Sequence, residues 1–172
     1  MTTSMLVGRL MSRRSRRLVS SRLLLIAFLL WGFGGAAAAD DSKEAAIEKD
    51  RQKIAGTWRI VSIELNGAKI NPQDVSKFRV VNGTDGTWSL RQDDKEISGG
   101  TSTFDTEQNQ KAIDFTPTTG NDKGKVFLGI YELGENTRKL CFAQAGKERP
   151  TEFASTPGTQ QTLVTFARVE ED

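Results

Sequence analysis

Apolar positions fall into two regimes along the chain. Between Leu23 and Ala39 they form one run, LLLIAFLLWGFGGAAAA, whereas from Gly56 onward they recur in short bursts separated by clusters of turn-forming residues. The second regime predicts β-strands at close spacing. Eight are expected: Thr57–Leu65, Lys77–Val81, Thr87–Arg91, Glu96–Phe104, Lys111–Thr116, Lys125–Leu133, Arg138–Ala143 and Thr162–Val169. The punctuation is hairpin chemistry: Asn66-Gly67, Asn82-Gly83, the polar tip Gln92 to Lys95, and Gly134-Glu135-Asn136. Asn, Asp and Gly tolerate the positive φ that tight hairpins require, and links this short join only antiparallel neighbours.

Several strands are apolar on both faces. In Lys125–Leu133, Val126, Leu128 and Ile130 oppose Phe127, Tyr131 and Leu133. A sheet with one wet face alternates more cleanly, so the second face is expected to meet a helix, a second sheet or a partner. Closing eight antiparallel strands into an up-and-down barrel also removes the sheet edges that invite aggregation. Before the strands, Asp40 to Ala55 carries good helix formers with a thin apolar stripe of Ala46, Ile47 and Ile54. A short N-terminal helix is expected there, with a helical or flexible lead-in over 40–52 and the barrel domain over 53–170.

The first regime changes the picture of where the protein goes. Arg9, Arg13, Arg14, Arg16, Arg17 and Arg22 precede the apolar run, no acid occurs before Asp40, and Ala37-x-Ala39 ends it. A basic stretch, an apolar core too short to span a bilayer comfortably and a small-residue cleavage site predict an export signal over 1–39, with the mature chain periplasmic or extracellular. Six of the 24 basic residues lie there, so the remainder has 18 basic against 22 acidic groups and a net charge of −4. No footprint for nucleic acid or an anionic membrane remains, and no stable membrane anchor is expected after cleavage.

The chain has no histidine and one cysteine. Ser-His-Asp and Cys-His catalysis and His-ligated zinc are thereby excluded, and no intramolecular disulfide can form. Cys141, between Leu140 and Phe142, reads as a small buried hydrophobe. Asp93-Asp94 and Asn121-Asp122 lack the alternating spacing of a calcium loop and read as solvated turns. Neither metal nor cofactor nor catalytic residue is assigned. The remaining route to catalysis is a carboxylate pair drawn from Glu64, Asp114 and Glu132, which ranks third among the readings.

Two constellations bear on architecture. Gly56-Thr57-Trp58 opens the first strand and Arg168 sits in the last, and in a closed barrel these strands are neighbours. An arginine laid across the indole resembles the structural signature of lipocalins. The stretches GTWRIVSIELNG, KAIDFTP, GKVFLGIYEL and LCFAQAGKERPTEF, in that order, are similar to a family of small exported domains abundant in planctomycete-type bacteria. That resemblance implies a lipocalin-like barrel and assigns no activity.

The sequence therefore points to non-catalytic binding of a small apolar or amphipathic molecule. Trp88, Leu90, Phe104, Phe115, Leu128 and Ile130 are the candidate lining, with Arg149 at the rim. The second reading is an envelope interaction module that grips another protein through an exposed strand face or GKERPTEF. In that segment, Lys147, Glu148, Pro150 and Glu152 either tie down a long connection or meet a partner.

Overall fold

The computed structural model describes residues 35–106 and 110–170. Residues 1–34 of the expected export segment lie outside them, and the barrel belongs to the unit Ala37–Asp172. The elements in order are α1 (Gly35–Ile54), β1 (Gly56–Leu65), β2 (Ala68–Lys69), α2 (Pro72–Val75), β3 (Phe78–Asn82), β4 (Thr87–Gln92), β5 (Lys95–Asp105), β6 (Ala112–Pro117), β7 (Phe127–Leu133), β8 (Thr137–Ala143) and β9 (Gln161–Arg168). All eight expected strands are present, and β2 is a two-residue rung added to β1.

The sheet closes. From β3 to β9 each strand pairs antiparallel with the next, and β9 returns to β1 from Trp58↔Arg168 to Leu65↔Thr162. A register shift between Ile60 and Ser62 bends β1, as barrel closure requires of a strand that meets two partners. The mainly β, eight-stranded antiparallel barrel expected from the pattern is the observed fold.

Local chemistry accounts for the tight turns. Asn66 and Gly67 take φ of 49° and 84°, and Asp93 and Asp94 take 49° and 65°, the two-residue geometry that matches strand twist. The expected Asn82-Gly83 turn is displaced: Asn82 extends β3, and the reversal runs from Gly83 to Gly86. There Gly86 supplies the positive φ, and Asp85 Oδ1 accepts hydrogen bonds from the Thr87 amide and hydroxyl. A side-chain acceptor two residues back out-competed the Asn-Gly dipeptide.

Inward positions on alternate residues build the core. Trp58, Ile60, Val164 and Phe166 from the seam pack with Val75 of α2, and Val80, Leu90, Leu140 and Phe142 lean on them. A second cluster of Ile54, Ile113 and Tyr131, with Phe104 and Leu133, joins the end of α1 to the barrel. That junction is also polar. Asp50 is buried, accepts a hydrogen bond from the Tyr131 hydroxyl at 2.6 Å and pairs with Lys111 Nζ at 2.7 Å.

Outside the barrel, the long connection from Gln144 to Gln160 forms a strap over β6, β7 and β8. Arg149 Nη1 donates to the Gly129 carbonyl at 2.6 Å and lies 2.5 Å from Asp114 Oδ1. Cys141 Sγ donates to the Ala154 carbonyl at 3.2 Å, and Ser155 Oγ donates to the Gln161 carbonyl while accepting from the Gly67 amide. The outward apolar residues of β7 and β8 are thus covered by this irregular strap, not by the helix, second sheet or partner expected.

Candidate functional site: the barrel cavity

The interior holds a cavity of about 370 Å³ to which every one of the eight long strands contributes. Its apolar wall is aromatic on one side. Phe115 stacks on Phe127 at 5.0 Å between centroids, and Phe142 and Trp88 meet Phe115 edge-on at 4.9 Å and 6.0 Å. Aliphatic side chains, among them Leu90, Val80 and Val164, complete the lining. Asp122 of the β6–β7 loop is the exposed member of the lining and marks where the cavity reaches solvent; its carboxylate is paired with Lys125 at 2.9 Å.

The expected lining divides. Trp88, Leu90 and Phe115 line the cavity. Phe104 packs instead against the Tyr131 ring, edge-on at 5.6 Å, with the Arg51 guanidinium over its other side. Leu128 and Ile130 are corrected to the outer face: Phe127 and Tyr131 take the inner positions of β7, and successive strand residues point to opposite faces. Ile130 is nonetheless 1% exposed, opposite Cys141 on β8. Because β7 is apolar on both faces, its pattern carried no information about which face was inward.

Arg149 is corrected too, since it sits on the outer wall with Asp114 and Gly129 rather than at a rim. Within the strap, Pro150 is buried and Lys147, Glu148 and Glu152 are exposed.

The closing constellation is assembled. The Arg168 guanidinium carbon stands 4.3 Å from the Trp58 ring centroid, Arg168 Nη1 donates to the Ala55 carbonyl at 2.9 Å, and Nη2 donates to that of Lys53. The indole N–H of Trp58 donates to the Ile54 carbonyl at 2.7 Å. Gly56 has φ of 103°, and a Cβ there would stand 3.2 Å from Arg168 Nη1, so this glycine admits the arginine.

Sequence reasoning missed the polar members of the interior. Arg138 is 5% exposed and lines the cavity, its guanidinium 4.2 Å from the Phe166 ring centroid and 5.0 Å from that of Trp58. Burial, and secondarily the like charge of Arg168, pull its pKa down to about 9. Asn82 and Tyr131 also line the cavity. Alternation could have found Arg138, which shares a strand face with Leu140 and Phe142 in RKLCFA.

The strand carboxylates do not converge. Glu64 pairs with Lys69 at 3.5 Å, Glu132 with Lys139 at 3.5 Å and Asp114 with Arg149. The Cys141 thiol is buried and its pKa is pushed up by that burial, opposite to what a nucleophile needs. Among the described residues, no group of three or more His, Cys, Asp or Glu is placed to hold a metal ion. Comparison with family models, with curated proteins and with solved structures found no match.

Proposed function

We propose that this chain is an exported, lipocalin-like binding domain that carries a small apolar or amphipathic molecule inside its barrel. The observation that carries the reading is the interior cavity of about 370 Å³ with its aromatic and aliphatic wall. Small barrels whose interior is not filled by side chains enclose one ligand, held mainly by apolar contact with a few polar groups fixing its orientation. The strap supports the same reading. By covering the outer apolar positions of β7 and β8 it leaves the cavity wall as an apolar surface of the described residues open to a ligand.

Fluorescence titration with the neutral dye N-phenyl-1-naphthylamine tests it. Saturable uptake at one site per chain, displaced by decanol and lost in Leu90→Trp, is expected, because the added indole occupies the space beside Phe115 and Trp88. Absence of saturable uptake by the unaltered protein would overturn the proposal.

A further inference from the structure

Among the described residues, no carboxylate pairs with the buried interior cation Arg138. Arg138 Nε is buried and has no hydrogen-bond partner, and the charged neighbour that acts on this guanidinium is Arg168, a like charge. Phe166 and Trp58 stand near it and contribute cation–π attraction, but rings satisfy no N–H. A guanidinium presents five donors in a planar fork and, with a pKa of about 9 here, is charged at neutral pH, so an unfilled donor inside a protein calls for an acceptor. A second donor lies on the same cavity: Asn82 Nδ2 is also buried and unpartnered.

Topology brings the two to one end of the barrel. Asn82 closes β3 opposite Gly56, directly after α1, and Arg138 is the second residue of β8, opposite Phe166, where the β7–β8 turn meets Arg168 through the hydrogen bond its amide donates to the Asn136 carbonyl. At that end the Tyr131 hydroxyl is already committed to Asp50. The opposite end holds Asp122 and the exposed β6–β7 loop. The cavity thus has a cationic, donor-rich end and an apolar middle.

We propose that the ligand is an anionic amphiphile, a carboxylate on an apolar body, with its head held by Arg138 and Asn82 and its body against Phe115, Phe127 and Phe142. A carboxylate matches the guanidinium fork in plane and charge, and supplies the acceptors that Nε and the Asn82 amide lack. The volume admits about a dozen non-hydrogen atoms at the ~30 Å³ each that a water takes in the liquid, which fits a medium-chain or aromatic monocarboxylic acid. The inference rests on the carrier reading and gives it a chemical class.

The test pairs decanoate with decanol as competitors of N-phenyl-1-naphthylamine on the full chain, at a pH where decanoate is ionised. The unaltered protein is expected to bind decanoate at least about tenfold more tightly than decanol, and Arg138→Met to abolish that preference while still taking up the dye. Arg138→Lys, which retains a charge without the fork, is expected to keep part of it. A second readout needs no variant. Decanoate labelled with ¹³C at the carboxyl and bound to the unaltered protein is expected to titrate below its free pKa, because a neighbouring cation favours the ionised form; a carboxyl merely buried among apolar groups titrates above it. Dye uptake with equal affinity for acid and alcohol, or a raised carboxyl pKa, overturns the anion and leaves the carrier reading standing. A preference that survives in Arg138→Met overturns the assignment to Arg138, and failure to take up the dye at all overturns the carrier reading and this one with it. Should Arg138→Met not fold, the carboxyl titration decides.

Discussion

Trp58 and Arg168 are register partners across the seam that closes the barrel, and the guanidinium carbon of one stands 4.3 Å from the ring centroid of the other. The first and last strands are therefore joined by side chains as well as by their ladder. Arg168 also ties β9 to the carbonyls of Lys53 and Ala55, the residues that lead out of α1. Replacing it with alanine removes a cation–π contact worth about 0.5–2 kcal/mol and two charge-assisted hydrogen bonds, for a total loss near 2–4 kcal/mol. Urea unfolding of Arg168→Ala is expected to show that loss as a lower midpoint with an unchanged slope. A midpoint equal to that of the unaltered chain would mean that the ladder closes the barrel unaided.

Much of this architecture could be read in the chain because strands and hairpins are local. The eight bursts of β-branched and aromatic residues, and the Asn-Gly and Asp-Asp turns, each act over fewer than about a dozen residues. Closure was legible through the Trp58 and Arg168 pair. The interior was only half legible, and for a physical reason: Leu128 and Ile130 occupy a strand apolar on both faces, where the second face is buried by the strap rather than by the cavity. What covers that face depends on how a 17-residue connection folds back, which no local pattern encodes. Arg138 was hidden differently, since a basic residue in a strand is expected to point to water.

The junction of α1 with the barrel has an alkaline limit. Burial, and then the hydrogen bond it donates to the Asp50 carboxylate, hold the Tyr131 hydroxyl well above its ordinary pKa of 10.0. The folded chain therefore keeps this proton where the unfolded chain gives it up. Its contribution is complete below pH 10 and falls as pH rises past that value. In Tyr131→Phe the alkaline decline in unfolding free energy is expected to be shallower, at a cost near neutrality of about 1–3 kcal/mol for leaving the buried Asp50 oxygen short of a partner. Parallel decline in the two proteins above pH 10 would remove Tyr131 from this role.

Arg138 has the opposite sign. Burial pulls its pKa down from the ordinary arginine value to about 9 in the folded protein, so below pH 9 the ligand-free barrel carries the whole penalty of a buried cation. As pH rises past 9 the folded state sheds the proton before the unfolded one does, and stability gains. Arg138→Met, which keeps the bulk and drops the charge, is expected to raise the unfolding free energy of the ligand-free protein at pH 7 by about 1–2 kcal/mol, with the difference narrowing above pH 9. Equilibrium unfolding of both proteins at pH 7 and pH 10 measures it. A variant clearly less stable at pH 7 would show that the two aromatic contacts outweigh desolvation.

The strap provides a test that separates wall from interior. Arg149 holds it to Asp114 and Gly129, and the strap in turn covers the Cys141 thiol, which hydrogen-bonds to the Ala154 carbonyl. Arg149→Ala frees one end of that cover without altering any residue of the cavity lining. Local opening then costs less free energy, and a thiol reachable only in the open state reacts faster in proportion to its population. A loss of about 1–2 kcal/mol in local stability corresponds to a roughly 5- to 30-fold faster reaction of Cys141 with a thiol reagent under native conditions. Affinity for N-phenyl-1-naphthylamine is expected to stay within twofold, since Phe115, Phe127 and Phe142 keep their places inside. Weakened dye binding with unchanged thiol reactivity would reverse this assignment and return Arg149 to the ligand.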